Sequence, residues 1–199
     1  MKKERYLTSG NITSGLWAFA VPLMLGNLIQ QFYNLADTWI VGRYIGNIGL
    51  AAVGSSYTLM TFLTYIIIGL CLGNSTFISM EYGKKNIEKI RNGIYISFVM
   101  ILAVTVGIII IFYGFLDEII KMLQVPKDTV ADMKVYLVYV FIGFFATFIY
   151  NYISNVLRAI GNSVIPLIFL GVSVVLNVFL DILFVAVLKM GVMGAALQR

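Results

Sequence analysis

The sequence contains no histidine, a single cysteine (Cys71) and only three prolines in 199 residues. Without His the chain lacks the commonest general base, metal ligand and physiological-pH switch. One thiol rules out an internal disulfide framework and any thiolate metal cluster. Charge is scarce too: Asp, Glu, Lys and Arg make up 12% of the residues, while 60% are hydrophobic and the mean hydropathy is +0.94. Soluble domains carry about twice that share of charge, so too little polar surface remains to clothe a water-soluble globule. A soluble enzyme or nucleic-acid module is thereby excluded, despite a net charge of +5 and a pI near 9.3. In a bilayer protein a basic excess marks cytoplasmic loops rather than a polyanion partner. Walker loops, dinucleotide fingerprints and HExxH motifs are absent as well, which leaves ATP-driven transport and metalloprotease chemistry without support.

What is present is long apolar runs. A membrane-spanning helix needs roughly 20 mostly apolar residues. Five stretches qualify, at about 14–40, 49–79, 93–116, 130–157 and 163–188, and a sixth begins near 190. Gly, Asn and charge clusters separate them, with no domain boundary, repeat or cleavable signal, so residues 1–199 read as one transmembrane domain. The expected fold class is an all-α polytopic membrane protein. The densest basic loop, GKKNIEKIRN (83–92), falls inside when the N-terminus is cytoplasmic, and Lys and Arg then number eight inside against five outside. That bias orients the chain with Lys2, Lys3 and Arg5 in the cytoplasm. Pro22 lies within the first span, where it removes a backbone hydrogen bond and bends the helix. The run DEIIKMLQVPKD (117–128) has the spacing of a short interfacial helix, and Tyr6, Trp39, Tyr44 and Tyr136 near span ends fit an aromatic belt.

Hydrocarbon penalises polar groups, so those inside the spans carry the functional signal. Seven of the nine acids fall in loops or at span ends; Asp37 and Asp181 do not. An ionised carboxylate in a bilayer core costs at least a few kcal/mol, and such residues face cavities and find partners. Each has polar company at three- and four-residue steps. Asn27, Gln30, Gln31, Asn34 and Asp37 form a stripe in span one; Ser173, Asn177 and Asp181 form another in span five; Thr147, Asn151 and Asn155 form a third in span four. Amides alone serve as interhelical glue about as often as they form a site. The acids are the stronger signal, because an amide would make the same glue without the ionisation cost. Carboxylates and amide carbonyls are hard oxygen ligands, suited to a proton or to Na⁺ rather than to a transition metal. Cys71, with no basic partner nearby, reads as a packing residue. Met60, Phe62 and Tyr65 read as apolar-pocket or packing residues, packing being the commoner fate.

The run PLMLGNLIQQFYNLADTWIVGRYIGNIGLAAVG (22–54) resembles the first two helices of bacterial multidrug and toxic compound extrusion (MATE) transporters. LRAIGNSVIPL (157–167) resembles that family's loop between helices four and five, and LNVFLDILFVAVLKMGVMGAAL (176–197) its fifth helix and the entry to its sixth. The resemblance implies five transmembrane helices and the start of a sixth, most of one six-helix lobe of a twelve-helix transporter in the bacterial inner membrane. It implies export of cationic amphipathic compounds by antiport with H⁺ or Na⁺, no enzymatic activity and no cofactor, with Na⁺ as the candidate coupling ion. Expected partners are the lipid bilayer and small-molecule amphipathic cations, with no nucleic acid, and a C-terminal lobe would be needed for transport. By the resemblance, Asp37, Asn177, Asp181 and Asn155 (or Asn151) form a cation site, with Asp37, Asn177 and Asp181 the ligands if the ion is Na⁺. Gln30, Gln31, Asn34 and Asp37 line the substrate cavity, and Pro22 is the helix-bending residue. On this reading cation binding at the two acids reshapes the cavity through the Pro22-bearing helix, so that drug and cation compete. The alternatives are a lipid-linked saccharide flippase of the same superfamily, which favours a cationic cavity, and a non-transporting membrane fragment.

Overall fold

A computed structural model describes residues 12–123, 126 and 129–197. Lys2, Lys3, Arg5 and Tyr6, residues 124, 125, 127 and 128 of the expected interfacial segment, and the last two residues lie outside them. The described chain is helical: α1 (Ile12–Tyr44), α2 (Gly46–Gly83), α3 (Ile87–Gly114), α4 (Leu116–Met122), α5 (Val130–Ala159), α6 (Val164–Asp181), a π-helical segment (Ile182–Val187) and α7 (Gly191–Leu197). Among the described residues, four helices are long and apolar enough to cross a membrane: α2, α3, α5 and the unit made by α6 with its π segment. At 33 residues α1 is as long as these, but Asn27, Gln30, Gln31, Asn34 and Asp37 dilute its apolar run. It continues unbroken through Pro22.

Local chemistry sets the turns. Gly46, at φ +83°, supplies the left-handed residue with which α2 opens after α1. Asn86 caps α3 by accepting a hydrogen bond from the Lys89 amide at 3.2 Å. At the end of α5, Gly161 sits at φ +88° and the Asn162 amide donates back to the Leu157 carbonyl at 2.9 Å, closing the helix in a Schellman-type turn. Asn162 Oδ1 then accepts from the Ile165 amide at 3.2 Å, starting α6. The short helix of the 117–128 region is α4, and Lys134 of α5 forms an ion pair with Asp117 of α4.

Packing divides the lobe. α5 is the central element, lying against α2, α3 and α7, while α1 packs along α6 and the π segment. The buried face of α5 is aromatic. Phe141 stacks on Phe112 of α3, and Phe148 meets Phe98 of α3 with ring centroids 5.4 Å apart. Tyr136, expected at an interface, is instead fully buried, because the first turns of α5 are enclosed by their neighbours. Trp39 and Tyr44 are exposed. Cys71 is buried on α2 in this core, as are Ile67 and Met60. Phe62 and Tyr65 point outward.

Two further differences from the sequence reading have physical causes. The fifth apolar stretch is not one regular helix, since α-helical geometry ends at Asp181 and gives way to π turns. Glu81, counted among the loop acids, is only 4% exposed. α2 runs on to Gly83, which carries Glu81 back into the lobe, where Lys84 Nζ meets its Oε1 at 2.6 Å.

Candidate functional site

On α1 the polar stripe grades from exposed to buried. Asn27, Gln30 and Gln31 are exposed, Asn34 is half-buried, and Asp37 is 2% exposed. One turn of spacing links them: Asn34 Nδ2 donates to Gln31 Oε1 at 3.4 Å, and Thr38 Oγ1 donates to the Asn34 carbonyl at 2.8 Å. This face borders a cavity of about 350 Å³ between α1 and α2. Its wall is Gln31, Asn34, Leu35, Asp37 and Thr38 from α1 and Leu50, Val53, Gly54 and Tyr57 from α2. That size lies at the lower end of small-molecule sites, which are mostly apolar with a few convergent polar groups.

The four α2 residues are what sequence reasoning missed. The run LAAVGSS (50–56) supplies Leu50, Val53 and Gly54 to the wall, where a Cβ on Gly54 would meet nothing within 4 Å, and Tyr57, one turn beyond Val53, adds an aromatic ring. The available signal was that run of Ala, Gly and Ser opposite the α1 stripe. Gln30, beside Gln31 in sequence, is not part of the wall.

The other expected site residues sit elsewhere in the lobe. Asp181 is fully buried at the last α-helical position of α6, both carboxylate oxygens being sealed from solvent. Asn177, one turn earlier, is half-buried. Neither lines the cavity, although α6 and the π segment pack along α1. On α5, Asn155 Nδ2 donates to the Asn151 carbonyl at 2.9 Å and Asn151 Nδ2 to the Thr147 carbonyl at 2.8 Å. Both amide nitrogens thus serve their own helix, which leaves the Oδ1 atoms as the acceptors a cation would use. Asn155 is 3% exposed and Asn151 half-buried. The structure therefore gathers Asp37, Asn34 and Gln31 on one cavity and keeps Asp181, Asn177, Asn155 and Asn151 off its wall.

Among the described residues, no three His, Cys, Asp or Glu side chains come together as a metal centre. The donor chemistry on offer is two buried carboxylates with amide oxygens, fitting a proton or a hard cation. A lipophilic cation in the cavity would meet the Asp37 carboxylate and the Tyr57 ring, both attractive to positive charge.

The MatE family model matches residues 22–183. The probable multidrug resistance protein YpnP of Bacillus subtilis (strain 168) is 33% identical over 189 residues, covering 95% of this chain and 42% of YpnP. A MATE crystallised in the straight conformation superposes with a TM-score of 0.91 at 26% identity, covering 100% of this chain and 44% of that one. The MATE multidrug transporter DinF-BH, in complex with rhodamine 6G, gives a TM-score of 0.90 at 25% identity, over the same shares of the two chains. The chain thus spans less than half the length of the relatives it matches.

Proposed function

Because the chain belongs to the MatE family, a family of multi-pass membrane transporters, we propose that it forms one lobe of a secondary active multidrug exporter. The exporter moves cationic amphipathic compounds out of a bacterial cell in exchange for H⁺ or Na⁺, with the N-terminus of the lobe in the cytoplasm. The observation that carries this reading is the α1–α2 cavity, where the 2% exposed Asp37 stands beside Asn34, Gln31 and the Tyr57 ring. An acidic, partly aromatic wall selects for lipophilic cations, and none of its nine residues is Lys or Arg. A lipid-linked saccharide, with its anionic phosphates, would find no counter-charge there.

Antiport requires two conformations that drug and coupling ion bias in opposite directions. The coupling ion, a proton or Na⁺, would be held by Asp37 and Asp181 with amide oxygens of Asn177 and Asn155. α1 links these groups, since it carries Asp37 and packs along the helix that ends in Asp181. Pro22, with one helix hydrogen bond fewer at its position, is where α1 bends most easily. The relatives are more than twice as long as this chain, and the second lobe belongs to the proposed transport cycle. In membrane vesicles carrying the two-lobed protein, an imposed Na⁺ or H⁺ gradient should drive accumulation or release of rhodamine 6G. Equal dye movement with and without either gradient would sink the antiport reading.

A further inference from the structure

We propose that Gly194 is a positioning residue for Asp181, acting through the backbone of the π segment. This deepens the transport reading above, in which Asp181 helps to hold the coupling ion. Asp181 is the last residue of α6, and the six residues after it are π-helical. π turns are rare, cost backbone energy and are frequent at functional sites. The segment closes tightly: the Leu188 amide donates to the Leu183 carbonyl at 2.8 Å and the Met190 amide to the Phe184 carbonyl at 2.9 Å. Lys189 is forced to φ +51° and Gly191 takes φ +60°. That geometry favours glycine, so Lys189 holds a strained turn in place.

Gly194, buried on α7, presses against this turn. A Cβ placed on it would stand 3.1 Å from the Phe184 carbonyl oxygen, 3.2 Å from its carbon and 3.1 Å from the Met190 Cβ. Two of those atoms are backbone and cannot swing aside as a flexible side chain would. Glycine therefore lets α7 seat directly on the π segment. A Cβ there requires the Phe184 carbonyl to give by a few tenths of an ångström, and that backbone lies three residues from Asp181, so the shift reaches the carboxylate through the π segment. α7 is in turn packed on α5 through the buried Ala195 and Ala196, so the seat is fixed to the core of the lobe. Gly171, on α6 itself, supplies the control, because a Cβ added there would meet nothing within 4 Å.

The test uses dicyclohexylcarbodiimide, an apolar reagent that modifies protonated carboxyls in membranes, on the 199-residue chain in lipid nanodiscs. Peptide mass spectrometry reads the labelling of Asp181 relative to Asp37. In Gly194→Ala this ratio should move by at least about threefold, because reagent access follows local opening, while Gly171→Ala keeps the wild-type ratio. A ratio unchanged in Gly194→Ala overturns the proposal. So does a parallel rise at both acids, which would mean general loosening of the lobe. If Gly194→Ala does not fold, Lys189→Gly decides: it relieves the positive-φ residue and softens the same turn, and it should change the ratio in a folded protein. An unchanged ratio there would overturn the positioning role. The readout does not depend on transport, so dye movement by the two-lobed protein that ignores both gradients would sink the function proposed above, while a selective change in the labelling ratio would leave this one standing.

Discussion

Asp37 and Asp181 are both almost fully buried acids on apolar helices, yet their surroundings differ in kind. Asp37 lies within a regular α-helix, about two turns before its end, on the wall of a cavity large enough for part of a ligand. Asp181 lies where α-helical geometry ends, sealed from solvent and against a strained π turn. One residue borders a cavity; the other stands where the winding of the backbone changes from α to π. Burial alone therefore does not assign a role to a membrane acid. The distinction to test is between an acid that touches cargo and one that senses or sets conformation.

Neutralising each acid separately is the sharpest way to break this comparison. Asp37→Asn should weaken rhodamine 6G binding to the lobe in nanodiscs by at least about tenfold, a loss of about 1.4 kcal/mol. Asp181→Asn should leave dye affinity nearly intact but remove its dependence on Na⁺ and on pH. Fluorescence polarisation titrations with and without Na⁺ distinguish the two. Equal loss of dye affinity in both variants would show that the acids act as one coupled unit.

A second contrast sets the α1–α2 cavity against the aromatic packing of α5. Phe148 is fully buried and contacts Phe98, Phe145 and Tyr152. Phe148→Ala leaves a void where α3 meets α5 and should cost about 3 kcal/mol of unfolding free energy. Denaturant unfolding in mixed micelles measures this, and the dye affinity of the folded fraction should not change. A fall in dye affinity matching the fall in stability would mean that the cavity and the aromatic core are not separable.

The helical, membrane-embedded architecture was legible because it depends on composition and run length, which a bilayer constrains strongly. The two intramembrane acids were legible for the same reason: a charge inside a 20-residue apolar run is visible without a structure. Three features were not. The π segment follows no residue signal in ILFVAV (182–187), which reads as ordinary apolar helix; it lies against α7, a contact that no pattern within the run announces. The burial of Glu81 depends on α2 continuing past the end of its apolar run and on the Lys84 partner. The α2 wall of the cavity depends on the rotation of α2 against α1, which spacing within one helix cannot give. Two of the three are relations between helices, and the third is where a helix ends.

The smallest effect belongs to that last relation. Gln30 and Gln31 are adjacent, so on a helix they point about 100° apart, and a cavity need not take both. The stripe spacing admits either, but the cavity takes Gln31 together with Asn34 and excludes Gln30. Gln30→Ala should therefore change rhodamine 6G affinity by no more than about 0.5 kcal/mol, as for an exposed substitution. Gln31→Ala and Asn34→Ala should each cost about 1 kcal/mol, the net worth of a typical hydrogen bond. The Asn34 variant also loses the contact to Gln31 Oε1, so the double variant should cost less than the sum of the two. A larger effect at Gln30 than at Gln31 would mean that α1 presents a different face to the drug than the one turned toward α2, and the cavity would have to be redrawn around it.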